Sequence, residues 1–104
     1  MNIRELTKRA KEIRAAYKIQ EEAGGEVWTA YDIMMGLVGD IGDLSKLVAA
    51  REGLRRMDAG QEGDLGHELA DCLWSILILA DEFGIDLDAE FRRTMDGIES
   101  KLDI

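Results

Sequence analysis

Apolar residues at Ile3, Leu6, Ala10, Ile13 and Ala16 or Tyr17 recur at the three-and-four spacing of one helical face, and Gln20 interrupts them. The pattern predicts a first helix over about residues 3–22, stopped by Gly24 and Gly25. Thr29 with Asp32 three residues on has the form of a capping box and opens a second helix to about Glu52, where Gly53 suits the C′ position. Asp64 caps a third helix to about Phe83, ended by Gly84. Asp86 caps a fourth to about Lys101, with Leu87, Phe91, Met95, Ile98 and Leu102 as its inward stripe. The segment 53–63 holds three glycines and no sustained apolar period, so it reads as a connection with at most a short turn of helix.

The third helix is apolar nearly all round, since Leu69-Ala70, Cys72-Leu73-Trp74 and Ile76 to Ala80 leave little polar face. Such a helix must be covered on more than one side. A chain of 104 residues is one domain's length and buries only about two thirds of its unfolded surface. The expected fold is therefore a single all-α domain, residues 1–104, whose four helices share their core with further copies in a homodimer or homotetramer.

Composition narrows the partners. With 22 acidic against 13 basic residues the net charge is −9, which disfavours nucleic acid, because affinity for it rests on lysine and arginine. Cys72 stands alone and cannot form an internal disulfide, and the charged start MNIRELTKRAKEIRAA is unlike a secretory signal, so a cytoplasmic location is expected. The longest apolar stretch, Leu73 to Ala80, is broken by Ser75 and is far short of the roughly 20 residues that span a bilayer. No membrane partner is expected.

Two acid pairs stand out, Asp40 with Asp43 and Glu68 with Asp71, each three residues apart on a predicted helix. That spacing puts both members of a pair on one face, one turn apart. One such pair is ordinarily a solvated face, but both of these interrupt apolar runs. Asp71, flanked by Leu69, Ala70, Cys72, Leu73 and Trp74, is expected to be buried, where an unpaired carboxylate costs several kcal/mol. Pairing or coordination is the simpler expectation, and four carboxylates make a hard oxygen site for Mg²⁺ or Mn²⁺.

At these residues the chain resembles the MazG-like all-α nucleoside triphosphate pyrophosphohydrolases, whose signature is ExxE followed, after a variable spacer, by ExxD. The second half is matched by Glu68-Leu-Ala-Asp71, and WSILILADEFGIDLDAEF after it is similar to the family's usual continuation. The first half is similar in degenerate form, Gly39-Asp40-Ile41-Gly42-Asp43-Leu44 standing for a typical EExGEL. The resemblance covers roughly Trp28 to Phe91. It implies a four-helix MazG-like bundle completed by homo-oligomerisation, and hydrolysis of an NTP or dNTP to NMP and pyrophosphate. It also implies that Asp40, Asp43, Glu68 and Asp71 are catalytic ligands of Mg²⁺, with a metal-associated water attacking the α-phosphorus. The metal would let an acidic protein bind an anionic substrate, and no P-loop offers a rival phosphate site. Housecleaning of the nucleotide pool is a role the resemblance alone suggests.

The chain differs from the family's pattern in three places. Aspartate for glutamate in the first motif shortens each arm by one CH₂, so the helices must approach closer or a water must bridge; Gly36, Gly39 and Gly42 fit closer approach. Each glycine costs the helix about 0.5–1 kcal/mol. Gly39 also stands where many relatives carry an acid that assists the attacking water. On the last helix, Arg92 and Arg93 stand in for the family's Lys and Asn. The alternative left open is a catalytically weak or inactive MazG-like module for nucleotide binding or protein assembly.

Further substrate-binding candidates are read with a plainer role beside each. Trp28 and Tyr31 are placed to stack on a base or to pack the entry of the second helix; Trp74, three residues past Asp71, has the same two roles. Arg55 and Arg56 would fold over phosphates or remain solvated, and Lys46 screens Asp43. His67 is expected at an exposed helix start, and Cys72 as a small core residue. If the second helix ends near Glu52 and the third starts near Asp64, Asp43 sits about five residues deeper than Glu68, roughly 7 Å. The connection must double back to level the pairs.

Overall fold

A computed structural model describes residues 1–56 and 63–104; the middle of the glycine-bearing connection, 57–62, lies outside the described residues. Four helices and no strand make up the described residues: α1 Ile3–Ala23, α2 Ala30–Arg51, α3 Leu65–Glu82 and α4 Leu87–Leu102. None is long and apolar enough to cross a membrane.

Short polar side chains set the helix starts. Asn2 Oδ1 accepts the Glu5 N–H at 2.9 Å, Asp64 Oδ1 that of His67 at 3.2 Å, and Asp86 Oδ1 that of Ala89 at 3.2 Å. The Thr29–Asp32 box is reciprocal: Thr29 Oγ1 accepts the Asp32 N–H at 3.2 Å, and Asp32 Oδ2 accepts the Thr29 N–H at 2.9 Å. Each cap is worth about 1 kcal/mol. α2 and α3 stop where Gly53 and Gly84 turn left-handed, at φ +73° and +67°. The next N–H folds back onto the last turn, Leu54 to Ala49 C=O and Ile85 to Ala80 C=O, both at 2.8 Å.

α3 is the central element. It runs antiparallel to α2, because Gly63 at its entry lies against Leu47 near the end of α2, while Leu77 and Ile78 share the main core cluster with Ile33 near the start of α2. α1 also runs opposite to α3, with Tyr17 edge-on to Trp74 and Lys11 reaching Asp81 at 3.5 Å. Ala10 of α1 completes the buried cluster, with Ile3, Leu6, Leu79 and Leu87 around it.

α4 departs from expectation. Its first turn is tied to α1 by Arg4, whose guanidinium reaches Asp86 at 3.0 Å and the buried Asp88 at 3.2 Å. Beyond that, of the predicted stripe only Leu87 and Met95 are half-buried, while Phe91, Ile98 and Leu102 are exposed. Among the described residues, no element covers the distal part of the stripe. On α1, Ile13 and Tyr17 are likewise exposed whereas Arg14 is buried, so the buried face is rotated by about one residue from the apolar stripe.

The chain exposes more surface than its mass requires. A compact fold of 11.6 kDa exposes about 5,800 Å², against 7919 Å² here. Its radius of gyration is 16.8 Å, where a compact domain of this length has about 13 Å. Met34, Val38, Ile41 and Val48 form an exposed apolar stripe on α2, and Leu69, Leu73 and Ile76 form another on α3.

Candidate functional site

α2 and α3 pack along each other, with Gly63 at the entry of α3 lying against Leu47 of α2. The connection that would double back to level the acid pairs includes 57–62, outside the described residues.

Asp40 and Asp71 line one open cleft of about 790 Å³ between α1, α2 and α3; Asp43 and Glu68 do not line it. Asp40 and Glu68 are half-buried, Asp43 exposed. Beneath them sits Cys72, buried as expected, whose thiol is pushed up by burial first and then by the charges of Asp40, Glu68 and Asp71. One sulfur thus feels three of the four acids, from both helices.

Asp71 is not buried, contrary to expectation. Its side chain is 50% exposed, with Oδ2 3.2 Å from His67 Nε2; Leu69 and Leu73, two residues to either side, point to a different face of α3 and do not cover it. A buried charge therefore gives no ground for coordination at this position. Nor do the α2 glycines mark a close helix approach: a Cβ added at Gly36, Gly39 or Gly42 would meet nothing within 4 Å. Gly36 instead leaves the cleft floor open.

Aromatic rings form much of the remaining wall. Trp28, Tyr17 and Trp74 all line the cleft. Trp74 Nε1–H donates to Ala10 C=O at 3.3 Å and its ring meets Tyr17 edge-on, centroids 6.1 Å apart. Trp28 is 53% exposed, so it is a wall and not the packed entry to α2. Tyr31, still more exposed, lies outside the lining.

The sequence reading missed Arg14 and Glu21. Arg14 is 6% exposed; its Nη1 donates to Glu21 Oε2 at 2.6 Å and its Nη2 to Trp28 C=O at 2.8 Å. Glu21 Oε1 accepts the Trp28 N–H at 2.6 Å, and the Arg14 hydrogen bond is the main cause holding its carboxyl below the usual range. The available signal was spacing: Ala10, Arg14 and Glu21 continue one helical face, with opposite charges two turns apart.

The remaining basic candidates stand away from this cleft. Arg92 Nε pairs with Asp88 at 3.2 Å and Arg93 pairs with Glu90, both on α4. Lys46, Arg55 and Arg56 are exposed and do not line it.

Among the described residues, no three His, Cys, Asp or Glu side chains stand close enough together to hold a metal ion as they are placed. The chemistry of the donors nonetheless suits a hard cation, since Asp40 and Asp71 bring carboxylate oxygens from two helices to one cleft. The exposed His67–Asp71 contact is of a kind worth about 1 kcal/mol or less, too little to hold Asp71 against a divalent ion. No protein-family model, curated protein or solved structure matches the chain.

Proposed function

We propose that the protein is a Mg²⁺-dependent nucleoside triphosphate pyrophosphohydrolase of the MazG-like kind, converting an NTP or dNTP to NMP and pyrophosphate. The observation that carries this reading is that Asp40 of α2 and Asp71 of α3 line one aromatic-walled cleft. Asp40, Asp43, Glu68 and Asp71 would hold Mg²⁺, or Mn²⁺ in its place. The ion supplies charge neutralisation at the phosphates and a water of lowered pKa.

The chain's own residues do the rest. Trp28, Tyr17 and Trp74 offer flat apolar faces to a base, and the openness at Gly36 lets the polyphosphate tail run toward the acids. A free nucleotide as substrate fits a cytoplasmic protein.

A second copy fits the exposed stripes of α2 and α3. The surface in excess of a compact chain is about 2,000 Å², more than the roughly 800 Å² per partner of a standard interface. The same exposure, with no three acids gathered around one point among the described residues, favours a second reading: a helical assembly module without turnover. Pyrophosphate release across canonical and modified NTPs and dNTPs, with Mg²⁺ or Mn²⁺, separates the two. Turnover lost in Asp71→Ala and Glu68→Ala supports the enzyme; no turnover on any substrate, with metal affinity unchanged in both variants, leaves the module.

A further inference from the structure

We infer that the buried Arg14–Glu21 pair is a positioning device that fixes Trp28 at the cleft for a planar heterocyclic base, so that base recognition depends on two residues acting through Trp28. The inference rests on the nucleotide reading of the cleft.

A guanidinium at 6% exposure loses its hydration and persists only if its charge and its N–H groups are met. Glu21, two turns along the same face, meets the charge, and the remaining arm of the fork is spent on one residue. Arg14 holds the Trp28 carbonyl and Glu21 holds the Trp28 N–H, at 2.8 and 2.6 Å. Both backbone polar groups of Trp28, in the irregular stretch between α1 and α2, are thereby bound to α1. Water satisfies such groups in an ordinary surface loop.

The clamp does not serve to bury Trp28, which stays 53% exposed and faces the cleft. It fixes the backbone from which the indole projects into the cleft. Across the cleft Trp74 is pinned in the same manner, by its bond to Ala10 C=O and by the edge of Tyr17. Two tryptophans, one bonded to α1 through its backbone and the other through its indole N–H, therefore share a cleft with Asp40 and Asp71. A flat ring with an anionic tail matches that arrangement: rigid aromatic walls take every base face, and the tail extends toward the cation site. Lysine cannot replace Arg14, because an ammonium lacks the planar fork that serves Glu21 and the Trp28 carbonyl at once.

The test uses Arg14→Lys and Glu21→Gln in the full chain. The protein has two tryptophans, so in a Trp74→Phe background Trp28 alone reports by fluorescence. Both substitutions should raise acrylamide quenching of Trp28 and leave helical circular dichroism intact. With Trp74 retained, they should raise KM for the preferred nucleotide about tenfold, within the range of one base–aromatic stack, while kcat changes less than about threefold. Trp28→Ala should give the same rise in KM, and combining it with Glu21→Gln should add nothing further. If Arg14→Lys does not fold, Glu21→Gln and its combination with Trp28→Ala decide the matter. A freed Trp28 with unchanged KM, a Trp28 that is not freed, or additive effects of Glu21→Gln and Trp28→Ala overturn the inference. An unsubstituted protein that neither binds nor turns over any nucleotide overturns the functional reading and this one with it.

Discussion

Gly63 lies against Leu47 so closely that a Cβ added at position 63 would stand 3.1 Å from both Leu47 methyl groups. This contact packs the entry of α3 against the last turns of α2, the two helices that carry the four acids. Leu47 is buried and has little room to give way. Gly63→Ala should therefore destabilise the protein by about 1 kcal/mol through overpacking. In a Leu47→Ala background the same substitution should be close to neutral. Urea unfolding of the four proteins measures the coupling; additive effects would show that positions 63 and 47 do not pack against each other.

Acid should weaken the fold through two carboxyls. Glu21 is held below the usual carboxylate range chiefly by its hydrogen bond from Arg14, and Asp86 chiefly by its hydrogen bond from Arg4. Each binds its proton more weakly folded than unfolded, so the unfolded chain takes up protons first as pH falls. The stabilisation is complete above the ordinary carboxylate range near pH 4–4.5 and is lost as pH drops through the depressed folded values. Melting temperature from pH 7 to pH 2.5 should decline below that range, and less steeply in Glu21→Gln and Asp86→Asn. Equal slopes in all three proteins would contradict the assignment.

The exposed stripes on α2 and α3 should be an interface. Light scattering at micromolar concentration should give a multiple of the 11.6 kDa chain mass. Val38→Glu and Leu73→Glu, each placing a charge in one stripe, should shift the protein toward the monomer. A monomeric mass for the unsubstituted protein would count directly against a shared core.

Helix boundaries were legible in the sequence because caps are local. The Thr29–Asp32 box, Asp64, Asp86, Gly53 and Gly84 act within one turn of where they stand, so their neighbours suffice to read them. Packing was less legible. The apolar stripe of α1 pointed to Ile13 and Tyr17 as core, but the buried face carries Arg14, whose charge and N–H groups are met by Glu21 two turns along and by the Trp28 carbonyl. The α4 stripe continues past the last element able to cover it, so periodicity alone overstated its burial. At the site, spacing did not tell which acids share the cleft: Asp40 and Asp71, one from each pair, line it, and Asp43 and Glu68 do not. Nor did it tell the exposure of Asp71, since apolar neighbours one and two positions away point to other faces of the helix and say nothing of what covers its own.

Magnesium-dependent pyrophosphate release by Asp40→Asn, Asp71→Asn and the double variant bears most directly on the claim that α2 and α3 supply one cation-dependent phosphate site. Each single substitution should lower turnover by about a hundredfold or more, and the double variant should be little worse than the weaker single one, as expected of groups acting as a unit. No magnesium-dependent release by the unsubstituted protein, or independent multiplying losses, would contradict a shared site.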